Sequence, residues 1–195
     1  HGDNVGARGL WGKSVLYEEA SRIPMIVAGP DVPAGRTVAT PVTLVDLYPT
    51  VIDGVGLEAT EEEAALPGRS LFALIDEADD PERVAFSEYH AVGSNSAGFL
   101  LRKGRYKYHH YVGHPPELFD LEADPEETAD LAPDPAHAAT LAEYEALLRG
   151  IVDPEDADRR ARADQRALIE RHGGWEKARK LGAPAATPAP GAGFE

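Results

Sequence analysis

The first thirteen residues, HGDNVGARGLWGK, gather His1, Asp3, Asn4, Arg8 and Lys13 among the glycines Gly2, Gly6, Gly9 and Gly12. Glycine lets a backbone take positive φ angles or come close to a ligand. Imidazole and carboxylate groups ligate divalent cations, and an ammonium neutralises an anionic oxygen. A cation beside a lysine is a cradle for a sulfate or phosphate group. The same composition also describes a solvated surface loop, and spacing alone does not separate the two. A second polar cluster, Glu88, Tyr89, His90, Ser94 and Asn95, stands where a strand-like segment gives way to a loop. His109, His110 and His114 resemble a metal cluster only superficially, because adjacent strand residues point to opposite faces. The acidic run DLEADPEETAD reads as a solvated turn and cap region.

These residues need elements to hold them. The segment Ile23 to Pro30, IPMIVAGP, has consecutive apolar residues and predicts a strand buried on both faces of a helix-covered sheet. Leu44, Leu47, Tyr48, Val51, Ile52 and Val55 share one helical face. Thr43 and Asp46 supply a capping box before it, and Gly54 and Gly56 mark its stop. Pro49 lies within this stretch and predicts a kink or a restart. From Val84 onward the short segments VAFSEY, AGFLLR, RYKYHHY and ELFDL predict an antiparallel meander, with Lys103-Gly104 as a hairpin turn. Asp134-Pro135 and Asp153-Pro154 are cap-then-proline starts for two helices. The stripe of the first is Leu141, Tyr144, Leu148, Ile151 and Val152, and the second is expected to run to about Glu170 before Gly173-Gly174. The stretch 183–195 is Ala/Pro/Gly low complexity, disordered or an arm on a neighbouring subunit.

Composition narrows the function classes. A chain of 195 residues with 43% hydrophobic residues can bury a real core. A net charge of -15 opposes binding to phosphate backbones, so nucleic acid is not an expected partner. There is no cysteine, which excludes a disulfide scaffold, a thiolate zinc site and a cysteine nucleophile within these residues. No apolar run reaches the roughly 18–20 residues that span a bilayer, and no membrane partner is expected.

The order of the motifs adds a family. HGD-x-x-G-x-x-G-L-W-x-K, Y-E-E-x-S-R-I-P-M-I-V-A-G-P, V-D-L-Y-P-T-V-I-D-G-V-G, L-P-G-R-S-L, S-E-Y-H, R-K-G-R-Y-K-Y and E-L-F-D-L-E-A-D-P-E-E-T-A-D-L together resemble the sulfatases of the alkaline-phosphatase superfamily, over roughly residues 1 to 150. Choline-sulfatase-like, arylsulfatase-like and phosphonate monoester hydrolase-like members are the nearest in character. The resemblance implies an α/β fold: the end of an alkaline-phosphatase-like α/β sandwich over 1–80, a small antiparallel sheet subdomain with C-terminal helices over 81–172, and a tail over 173–195.

The resemblance implies roles for particular residues. His1 matches a metal-ligand position, and Lys13 matches the catalytic lysine that contacts the sulfate group and the leaving oxygen. His90 lies in the region that faces the leaving alcohol, which marks it as a substrate-binding candidate. The implied cofactor is a divalent metal, Ca²⁺ first with Mn²⁺ as the alternative, and the implied substrate a small-molecule sulfate ester. The family's nucleophile is a formylglycine made from a C/S-x-P-x-R motif, which these residues lack. The expectation is therefore a C-terminal fragment of a larger hydrolase, inactive alone. A phosphonate monoester or phosphodiester hydrolase and a non-catalytic interaction module are the competing expectations. A homo-oligomer formed through the tail and a bacterial, cytoplasmic setting complete the reading, with a signal peptide left open.

Overall fold

The computed structural model describes residues 2–91 and 94–180. Short helices form the front of the chain: α1 (Glu18–Ser21), α2 (Leu47–Gly54), α3 (Glu61–Ala64) and α4 (Leu71–Asp76). A four-stranded sheet follows, β1 (Ala85–Tyr89), β2 (Gly98–Lys103), β3 (Tyr106–Tyr111) and β4 (Glu117–Asp120), then α5 (Ala138–Ile151), α6 (Pro154–Arg171) and α7 (Gly174–Lys180). The sheet is an antiparallel meander in sequence order. Gly104 makes the β2–β3 turn at φ 52, an angle that suits a residue without Cβ.

The strand register sorts side chains onto two faces. Phe99 pairs with His110, Leu101 with Tyr108, and Tyr108 with Leu118, so these residues share one face. That face packs on α5 and α6 in a core of Phe99, Leu101, Tyr108, Leu118, Tyr144 and Leu148. Tyr144 and Leu148 come from the stripe expected for α5, whereas Ile151 at its end is exposed. Asp134 caps a short 3-10 turn (Pro135–His137) that leads into α5, and Asp153 caps α6 through the amide of Asp156. Both caps satisfy amides that helix starts leave without partners.

The opposite face carries Leu100, Lys107, His109, Glu117 and Phe119. Its cover is the opening segment of the chain. The Leu16 side chain lies where a Cβ on Gly98 would meet it at 3.2 Å. The Tyr17 ring meets His109 at 5.3 Å and Phe119 at 6.0 Å, both edge-on. Covered on both faces, the sheet holds its central residues at or near zero exposure.

Two expectations for the front of the chain are corrected. Residues 23–28 form no strand, and Ile26 is 88% exposed. A consecutive apolar run becomes a doubly buried strand only between neighbouring strands, and no described strand lies beside this one. The apolar face expected along 44–55 is likewise open to solvent at Leu44, Leu47, Tyr48, Val51 and Val55. This lobe packs on Leu71 and Leu74 of α4 and on a polar centre: the fully buried Asp46 accepts the amides of Thr43 at 2.8 Å and Arg69 at 2.9 Å and pairs with Arg83 at 2.7 Å. The Thr43–Asp46 capping box is present, but it starts a 3-10 turn, Leu44–Asp46, from which α2 restarts at Leu47. Pro49 thereby falls in the first turn of α2, where its missing N–H costs no helical bond.

Among the described residues no helix is long and apolar enough to cross a membrane. The expected tail, 173–195, begins with a helix, α7, and its residues 181–195 lie outside the described residues, so no described contact bears on the oligomer expectation attached to the tail.

Candidate functional site

The opening loop is closed on itself at its base. The Asn4 amide donates to the Gly12 carbonyl at 2.9 Å, its side-chain amide donates to the same oxygen, and the Gly6 amide donates to Leu10 at 2.8 Å. Asn4 is buried, so it acts as the loop's internal clamp. The residue after the clamped carbonyl is Lys13. Its ammonium stands 3.9 Å from the Asp3 carboxylate, and both side chains are partly exposed. At that separation the pair is loose, and Lys13 has donors to offer another anion. Gly2 fits here because a Cβ would come within 2.6 Å of the Glu19 carbonyl oxygen of α1. His1, the expected metal ligand, lies outside the described residues.

A buried charge network fastens this loop to the sheet. The Arg8 guanidinium donates to the carbonyl of Glu127 at 2.8 Å and to that of Glu126, and sits 4.0 Å above the centre of the Tyr17 ring. The Glu127 side chain, fully buried, accepts the Glu18 amide at 2.6 Å and pairs with Lys107 at 2.8 Å. Lys107, 1% exposed, also pairs with Glu18 at 2.9 Å and reaches Ser21 at 3.0 Å. Beside it, His109 Nδ1 faces Glu117 at 3.1 Å, and Tyr17 donates its hydroxyl to the same carboxylate at 2.9 Å. The acidic run is therefore not solvated throughout, since Asp120 is buried and Glu127 is a buried anchor.

Burial is the main reason that His109 is held below the ordinary histidine range, with Glu117 opposing it in part. Burial pushes the Glu117 carboxyl up, but hydrogen bonds from His109 and Tyr17 outweigh it and the net shift is downward. The Tyr17 hydroxyl is raised, first by burial and then by Glu117. Both downward shifts act in one direction on stability. A histidine with a lowered folded pKa binds fewer protons folded than unfolded, so stability falls as pH drops below about 6.5. A carboxylate with a lowered folded pKa loses its contribution as pH falls from about 4.5 through that folded value. The protein is expected to lose stability steadily from pH 7 to pH 4. His109→Gln should flatten the upper part of that slope, which urea midpoints at half-unit pH steps would measure; an unchanged slope would count against His109.

The structure places His90 apart from the loop's base. His90 Nε2 lies 3.3 Å from Glu88, and its ring meets Phe99 edge-on at 5.5 Å, in a small cleft shared with Ser96, Asp158 and Arg162. The neighbouring Tyr89 connects this region to the loop, its hydroxyl donating to Ser14 Oγ at 3.0 Å. So Ser14, next to Lys13 in the chain, meets the Tyr89 side chain at the end of β1, while the His90 ring turns to Phe99. His109 and His110 do face opposite ways, towards Glu117 and Glu145. Among the described residues no group of three or more His, Asp or Glu is arranged to hold a metal ion.

Comparison with known proteins places this geometry. The family model described as N-sulphoglucosamine sulphohydrolase, C-terminal, matches residues 6–152. The chain belongs to the sulfatase family. Arylsulfatase K of Danio rerio is 36% identical over 161 residues, covering 78% of this chain and 30% of the relative. Choline-sulfatase of Rhizobium meliloti is 37% identical over 125 residues, covering 64% of this chain and 24% of the relative. The solved structure of a 2-O GAG sulfatase superposes with a TM-score of 0.66 at 31% identity, covering 86% of this chain and 36% of that one. This sulfatase chain thus spans about a third or less of the length of these relatives and corresponds to a C-terminal portion. The matched stretch takes in Arg8, Lys13 and the sheet on which the loop is docked, and begins two residues after Asn4.

Arg8, Lys107 and Glu127 are the residues that sequence reasoning missed as a group, and Asn4 it named only among the polar residues of the opening loop. One signal was there to find: in RYKYHHY both alternating sets are large side chains, which suits a strand covered on both faces rather than one.

Proposed function

We propose that the chain is the C-terminal portion of a metal-dependent sulfuric ester hydrolase that cleaves a small-molecule sulfate monoester to an alcohol and sulfate. One observation carries this reading: a clamped, glycine-rich loop presents the loosely paired Lys13 ammonium at its end, in a chain of the sulfatase family. In hydrolysis the sulfur–oxygen bond to the alcohol breaks, and negative charge develops on the departing oxygen. Lys13 lies against that oxygen and stabilises the charge as it forms. Asp3 holds the ammonium in place without quenching it, at 3.9 Å. A formylglycine hydrate, expected in the preceding portion of the enzyme, would supply the attacking oxygen, a general acid would protonate the departing alcohol, and the resulting hydrate sulfate ester would collapse to the aldehyde and release sulfate. His1 is a candidate ligand for a divalent cation, Ca²⁺ or Mn²⁺, whose other ligands would come from outside the described residues. His90, beyond Tyr89, is a candidate contact for the alcohol.

The exposed apolar residues Ile26, Leu47, Tyr48 and Val51 support the view that the front lobe packs on the rest of a larger enzyme. Parallel assays of the full-length enzyme on 4-nitrophenyl sulfate and on a 4-nitrophenyl phosphonate monoester test the substrate class. Faster turnover of the sulfate is expected, with none from residues 1–195 alone. Faster turnover of the phosphonate would move the enzyme to the phosphonate monoester hydrolases. Inactivity of the full-length enzyme on both would favour a binding module.

A further inference from the structure

We propose that Arg8 is a positioning residue for Lys13, and that the buried Glu127–Lys107 pair is its anchor; this rests on the reading of Lys13 as the group beside the leaving oxygen. Four non-glycine residues among those described have positive φ: Val5, Arg8, Asp31 and Glu127. Three of the four belong to the opening loop or its anchor. For a β-branched residue such as Val5 (φ 49) this conformation is unfavourable, and it persists only where surrounding contacts impose it. The contacts here are specific. Arg8 (φ 56) reaches out of the loop to two successive carbonyls, Glu126 and Glu127, more than a hundred residues away in sequence. It also approaches Glu19 at 3.7 Å and Glu127 Oε2 at 3.8 Å. The planar guanidinium supplies this two-pronged donation while lying over Tyr17, which an ammonium cannot do.

The anchor at the other end is held by elements outside the loop. Glu127 (φ 51) is tied to the sheet by Lys107 and to α1 by the Glu18 amide. The loop is therefore fixed at two points: inside, by Asn4 on the Gly12 carbonyl, and outside, by Arg8 on the Glu126–Glu127 backbone. Lys13 follows directly on the first of these. Removing the second frees the loop to relax its strained residues and carries Lys13 away from its working position.

A series of aryl sulfates from 4-nitrophenyl to unsubstituted phenyl tests this in the full-length enzyme. A variant that is merely less folded loses the same factor on every member of the series. A variant with a displaced Lys13 loses more as the leaving group becomes poorer, because charge on the oxygen then needs more stabilisation. Lys13→Ala sets the reference. Arg8→Ala is expected to steepen the dependence in the same sense, with an extra loss of about 10- to 100-fold on phenyl sulfate relative to 4-nitrophenyl sulfate. Arg8→Lys, which keeps the charge over Tyr17 but not the paired donation, is expected to steepen it less, and it serves if Arg8→Ala does not fold. Steepening by Lys13→Ala but by neither Arg8 variant overturns the positioning role while leaving the proposed function standing. No steepening by Lys13→Ala removes the reading of Lys13, and the role of Arg8 with it.

Discussion

Lys13→Ala in the full-length enzyme is expected to lower kcat on an aryl sulfate by about 10²- to 10³-fold, the scale of losing one preorganised group that stabilises transition-state charge. The loss should fall on kcat more than on KM. The substrate's sulfate is already anionic in the ground state, whereas the charge that Lys13 meets on the departing oxygen appears only in the transition state. Folding should be nearly untouched, because the side chain is partly exposed and its one ion pair among the described residues, with Asp3, is long at 3.9 Å. Exposed substitutions of that kind are usually within about 0.5 kcal/mol of neutral. Lys13→Arg should not restore the rate, since a planar fork cannot occupy the place of a compact point charge at the end of a tight loop. Steady-state kinetics with a thermal melt on the same samples would check both halves. A variant with wild-type kcat would sink the assignment.

Lys107→Met is the substitution expected to cost most in stability, about 3–5 kcal/mol, the range for removing one partner of a buried ion pair. Methionine approximates the lysine stem in volume, so little packing is lost. The cost comes from Glu127, left fully buried with its charge uncompensated, and from Glu18, which loses the same ammonium. Arg8 lies 3.8 Å from the other oxygen of Glu127 and offsets only part of this. The double variant Lys107→Met with Glu127→Gln should recover a large share, because no unpaired charge is then buried. Urea unfolding of the two variants beside the parent chain measures both. A Lys107→Met variant within 1 kcal/mol of the parent, about a fifth to a third of the expected loss, would show that the network is hydrated and of little consequence. Because the same network holds Arg8, the single variant should also impair turnover in the full-length enzyme, and the two effects should recover together.

What the sequence determined by itself is what short-range physics controls. Helix starts at Asp134 and Asp153 depend on a carboxylate and a proline within three residues of each other, and both stand where expected. The meander depends on short strand-like runs separated by turn residues, and all four strands appear in order. Family membership followed from motifs in a fixed succession, among them the loop that carries Lys13. Even the capping box of Thr43 and Asp46 was legible, although it starts a 3-10 turn and leaves α2 to begin at Leu47.

Burial was not legible in the same way, because it is decided by what comes to lie alongside. Ile23 to Pro30 has the composition of a core strand, yet Ile26 meets solvent, since no described strand pairs with it. The opposite error occurred at Lys107 and Glu127, charged residues that composition assigns to the surface. The register of β3 against β4 aims Lys107 at the face which the opening segment covers, and Glu127 is buried against it as its ion-pair partner. The contacts that hold the loop join residues 109 and 119 positions apart, Glu18 to Glu127 and Arg8 to Glu127. No periodicity in the chain records such a meeting. Only the tertiary structure brings the opening loop onto the sheet, where desolvation makes each of those charges depend on the others.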